Sequence, residues 1–138
     1  MEAVAQGDNG APLGREIAFS RILSRTKDVK NVVYLTADVH YTAAISYHPD
    51  KAAFQDFSPF WEFVSGPLNA GAFPQSPLDG TFGAQYEFVH APDKANVSPA
   101  EGFQHFGHVT IDGGSRTLTV HLRDAKGAPL YTKELAPA

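Results

Sequence analysis

The decapeptide Asn31-Val32-Val33-Tyr34-Leu35-Thr36-Ala37-Asp38-Val39-His40 constrains the fold more than any other stretch of the chain. A short β-branched and aromatic run stops abruptly at an acid and an imidazole two residues apart. Apolar runs of this length, bounded by a polar stop, read as a strand buried on both faces, here over residues 31–40. In extended backbone residues i and i+2 share a side, so Asp38 and His40 are predicted to project together from the strand's carboxyl end. Open α/β sheets place their chemistry at that end. A carboxylate beside an imidazole suits a hard or borderline metal ion better than a nucleophilic triad, which needs a third partner. By spacing alone, such a pair is more often a capped strand end, with Asp38 closing a turn and His40 packed under Trp61.

Around this strand the pattern is uneven. Residues 1–12 are aperiodic and contain Gly and Asn, hence loop. Over residues 13–28 the spacing predicts a helix, with Phe19, Ile22, Leu23 and Thr26 at i, i+3, i+4 and i+7. Arg25 and Lys27 near its end complement the helix dipole. Arg15, Arg21 and Arg25 read as its solvated face rather than a phosphate clamp. Residues 41–98 form a long connection punctuated by six prolines from Pro49 to Pro92. It holds one strand, Trp61 to Ser65, and a second, Gln85 to His90. Residues 104–135 read as antiparallel strands: Val109-Thr110-Ile111 and Leu118 to Leu122 alternate around the turn Asp112-Gly113-Gly114-Ser115. A second turn, Asp124 to Gly127, leads to a last strand, Leu130 to Leu135. The fold class expected is α+β: a single domain of one clear helix followed by a mixed, mostly antiparallel sheet. Alone, that sheet is expected to leave one face uncovered and to associate through it.

Composition narrows the chemistry. With 138 residues, 43% of them hydrophobic, the chain can bury one modest core. Its net charge is −4 and its 11 basic residues are scattered, which leaves no nucleic-acid or membrane-surface footprint. The absence of cysteine removes disulfides, thiolate metal sites and thiol catalysis within this segment. No apolar stretch approaches the ~18 residues of a membrane span. Met1-Glu2-Ala3-Val4 has neither the basic region nor the apolar core of a signal peptide.

Thr36-Ala37-Asp38-Val39-His40-Tyr41-Thr42-Ala43-Ala44, followed by Phe57-Ser58-Pro59-Phe60-Trp61-Glu62-Phe63-Val64-Ser65-Gly66-Pro67, resembles the alkaline phosphatase D (PhoD-like) family of metallophosphoesterases. The resemblance extends upstream to Gly10–Glu16 and downstream to Gly102–Asp112, most of the chain. It implies a β-sandwich flanked by helices, of which this chain is the C-terminal portion. It also implies hydrolysis of phosphate esters at a site holding metal ions, iron and calcium, with earlier metal-binding motifs lying outside this chain. Export of the complete protein is implied in the same way. On this resemblance Asp38 and His40 are metal ligands or their immediate support, in an incomplete site that is expected to be inactive alone. Ala37 stands where the family usually has Gly, a replacement tolerated if φ there is negative. The alternative is a non-catalytic β-rich binding or packing module.

The neighbours of the motif are weaker candidates. Tyr41 and Thr42 adjoin it and are candidate donors to a phosphate oxygen, although core or rim is the plainer reading of Tyr41. Ser65 and Gly66 are candidates to bring backbone amides toward substrate, against an ordinary turn. Phe54, Phe57, Phe60, Trp61 and Phe63 read as packing, since no basic residues interleave them. His105 and His108, three apart in a strand, face opposite sides and cannot jointly hold one ion. They are assigned to structure or to the support of ligands. His48, His90 and His121 carry no functional argument. Asn96-Val97-Ser98 matches a glycosylation acceptor and is discounted as a short motif.

Overall fold

Strand alternation in Phe60-Trp61-Glu62-Phe63-Val64 sends Phe60 and Val64 to one side of a sheet and Trp61 and Phe63 to the other, and each set enters its own core. A computed structural model describes residues 7–138. The order is α1 (Arg15–Thr26), β1 (Val33–Thr36), β2 (Thr42–Tyr47), β3 (Phe60–Val64), β4 (Ala84–His90), β5 (His105–Ile111), β6 (Leu118–Asp124) and β7 (Pro129–Leu135). The strands form a four-stranded sheet ordered β1-β3-β2-β4 and a three-stranded sheet ordered β5-β6-β7. Only the β1–β3 pair is parallel. The α+β class read from the sequence is the class observed.

Three layers result. On one face of the four-stranded sheet, Phe19 and Leu23 of α1 pack with Tyr41, Ala43, Ile45, Tyr47, Phe60 and Val64. On the other, Ala44 and Phe63 meet Val120 and Leu122 of the second sheet, with Trp61, Phe88, Val109 and Tyr131 around them. Each fully buried large side chain contributes about 1.5–3 kcal/mol from area removed from water. The expectation of an uncovered sheet face is therefore corrected: helix and second sheet cover both faces. What stays open is an edge.

That edge is β1, and here too the sequence reading needs correction. The expected strand 31–40, buried on both faces, is only Val33–Thr36, and it lies at the sheet margin with Leu35 60% exposed. The strand buried throughout is β2, Thr42-Ala43-Ala44-Ile45-Ser46-Tyr47, inside what reads as irregular chain. Its small residues let helix and second sheet approach closely. β1 is tied inward through the buried Glu62, whose carboxylate accepts from the Thr36 hydroxyl at 2.7 Å and the Tyr47 hydroxyl at 2.6 Å. At the opposite margin, β4 carries a bulge that leaves Glu87 out of register and bonded to the Ser46 hydroxyl. Charge and irregularity protect that edge; β1 has neither.

Candidate metal centre

β1 stops at Thr36 because the residues that follow leave the extended region. Asp38 has φ 83° and His40 has φ 63°, both left-handed, whereas Ala37 stays at negative φ. Asp38 and His40 thus lie on a tight loop between β1 and β2 rather than on alternating positions of a strand. Left-handed backbone costs an ordinary residue about 1–2 kcal/mol and persists only where surrounding contacts enforce it.

Those contacts are visible. The His40 carbonyl accepts from the Phe73 amide at 3.1 Å. Its Nδ1–H donates to the Gly71 carbonyl at 2.6 Å, and the ring sits edge-on to Phe73 at 5.4 Å between centroids. A histidine whose Nδ1–H is held by a carbonyl keeps Nε2 as its basic nitrogen, the arrangement usual for a metal ligand. Asp38 is exposed and His40 half-buried. His40 packs on Phe73, not under Trp61, which stacks on Phe63 and lies beneath Lys133. Nothing in the spacing of the sequence pointed to Gly71 or Phe73, which belong to chain without regular structure.

Tyr41 is 1% exposed, its hydroxyl 2.8 Å from that of Tyr86. Thr42 is fully buried and donates to the Val64 carbonyl at 2.8 Å. The Ser65 amide donates to the Thr36 carbonyl, continuing the β1–β3 pairing past the strands. A Cβ at Gly107 would strike the Ser65 hydroxyl, so β5 passes close to this turn. The Gly66 carbonyl accepts from the His105 ring at 3.1 Å and the Pro67 carbonyl from the His105 amide at 2.9 Å. Motif and turn are thus joined through backbone, while the hydroxyls of Tyr41 and Thr42 face the interior. Among the described residues no group of three or more His, Asp or Glu side chains gathers around one point. A groove of about 750 Å³, lined by Val33, Trp61, Leu118 and Leu135 among others, opens at the far end of β1 and includes none of these residues.

His105 and His108 face opposite sides, as their spacing requires. His105 is 1% exposed, its Nε2 2.8 Å from Nδ1 of His90, whereas His108 lies exposed beside His121. Burial, with the neighbouring His90 imidazole, lowers the pKa of His105; the Gly66 carbonyl and Asp124 oppose this. A histidine held below its ordinary value binds fewer protons folded than unfolded. Its contribution is therefore complete above the unfolded value, about 6.5, and is lost as pH falls toward the folded one. The melting temperature is expected to drop on acidification below about pH 6.5, and His105→Gln is expected to flatten that drop. An unchanged slope in the variant would contradict the assignment.

A model of the PhoD-like phosphatase family matches residues 1–122. No curated protein and no solved structure matches the chain.

Proposed function

Because this chain belongs to the PhoD-like phosphatase family, we propose that it is the C-terminal part of a metal-dependent phosphatase or phosphodiesterase acting on phosphate esters. The family is generally metal-dependent. The observation that carries the reading is the Asp38–His40 loop, where two left-handed residues and the Nδ1–H bond to Gly71 present one carboxylate and one basic Nε2. The donor set fits: oxygen with imidazole suits iron, and oxygen suits calcium. When bound, such metals activate water and neutralise phosphoryl oxygens. Asp38 and His40 would hold the metal from this side, with Tyr41 and Thr42 as the buried floor of the loop. Ser65 braces it through the Thr36 carbonyl, and Gly66 ties the same turn to His105. Two donors fall short of the six to eight or so that calcium takes, so polypeptide beyond the described residues supplies the others. Export of the complete protein belongs to the same proposal.

The chain by itself is expected to hydrolyse p-nitrophenyl phosphate at the background rate, with or without added iron and calcium. The polypeptide encoded upstream is expected to carry further Asp-rich motifs. Metal-dependent turnover by the purified chain, abolished by His40→Ala, would show that the donors are already complete.

A second reading, a packing module without activity, draws on the unprotected β1 edge, exposed Leu35 and the groove beside Val33. An upstream sequence without further ligand motifs, together with stable self-association of the chain in light scattering, would favour it.

A further inference from the structure

We infer that Gly71, locked against Asn96, is the positioning residue that sets the tautomer and orientation of His40. The inference deepens the proposed metal site and rests on that reading for its functional meaning, but its geometry stands apart from it. Gly71 sits in chain with no regular structure, yet it is held from several sides. Ala72 and Val97 form an isolated antiparallel bridge with both bonds at 2.9 Å. The buried Gln104 side chain accepts from the Ala70 amide at 3.3 Å and donates to the Ala70 carbonyl at 3.1 Å. The Phe73 amide bonds the His40 carbonyl. The segment is therefore clamped on each side of Gly71, and the Gly71 carbonyl meets the His40 ring.

The clamp is tightest at 71. A Cβ there would collide with the side-chain oxygen of Asn96 and lie 3.3 Å from its Cα. Asn96 itself is left-handed, φ 56°, a conformation that asparagine tolerates better than most residues and glycine better still. A side chain at 71 turns the Asn96 amide aside and shifts this strip of chain by a few tenths of an ångström, which disturbs the bond from its carbonyl to Nδ1. A weakened bond there raises the share of the other tautomer, with its proton on Nε2 and no lone pair there for a metal.

Ring nitrogen NMR of the chain above the titration range of histidine tests this directly. His40 is expected to carry its proton on Nδ1; a proton on Nε2 in the unsubstituted chain would overturn the inference, whatever the variants do. Gly71→Ala is expected to shift the population toward Nε2–H, and the pair Gly71→Ala/Asn96→Gly to restore the original tautomer, because removing the Asn96 side chain makes the room. A shift in the single variant that the pair fails to reverse would overturn the role of Asn96. In the complete phosphatase, Gly71→Ala is expected to weaken metal binding about 10–100-fold, as loss of an outer partner of a liganding histidine does. A tautomer shift with unaltered metal binding would uphold the positioning and overturn the reading of His40 as a ligand.

Discussion

In the complete phosphatase, His40→Ala is expected to lower turnover by more than about 10²-fold while His108→Ala leaves it unchanged. Losing the outer partner of a metal ligand already costs about 10–100-fold, and removing the ligand itself must exceed that. His40 lies on a tight loop with Val39 packed against the helix-side core, while its own ring is held by the Gly71 carbonyl rather than within either core. His108 lies on the outer face of β5 beside His121, exposed, where substitutions usually change stability by about 0.5 kcal/mol or less. Kinetics and melting curves of the two variants decide the matter. Equal losses of activity with unchanged melting would mean that the two histidines have been sorted wrongly.

The largest effect on stability is expected from Phe63→Ala. Phe63 is 1% exposed at the centre of the inter-sheet core, stacked on Trp61 at 5.8 Å and packed with Ala44, Val120 and Leu122. Removing a buried phenyl ring costs about 3–5 kcal/mol, transfer and cavity together. For a chain of this size that lowers the melting temperature by on the order of 10 °C or more. Because Phe63 joins the two sheets, its loss is also expected to expose apolar surface to a dye. A drop of only a degree or two would mean that the second sheet is not held through this core.

The sequence disclosed the parts of the fold that depend on one-sided burial. α1 buries Phe19 and Leu23 of its expected stripe under a solvated arginine face, although Ile22 is 50% exposed and Glu16 is buried instead, and β6 alternates between Val120 or Leu122 inside and half-buried residues outside. β2 escaped because it is buried on both faces and intersperses Ile45 and Tyr47 with small Ala and Ser residues. It has no polar–apolar alternation to read and no continuous bulky run to mark a strand. β1 was misplaced for the converse reason: Val32-Val33-Tyr34-Leu35 has the composition of an interior strand but lies at an open edge. The Asp-Val-His motif was legible, yet its geometry was not. Period-two reasoning assumes extended backbone, and Asp38 and His40 both leave it. Gly71 and Asn96 were invisible as partners of the motif because their contact joins two irregular segments 25 residues apart.

Asp38 and His40 are proposed as metal ligands in a site completed from outside this segment. A metal-loaded crystal structure of the complete phosphatase tests this assignment most directly. His40 Nε2 is expected within about 2.0–2.3 Å of a metal ion, with its Nδ1–H still on the Gly71 carbonyl and an Asp38 oxygen in or beside the coordination sphere. A filled metal site with His40 Nε2 in solvent or hydrogen-bonded elsewhere would contradict it.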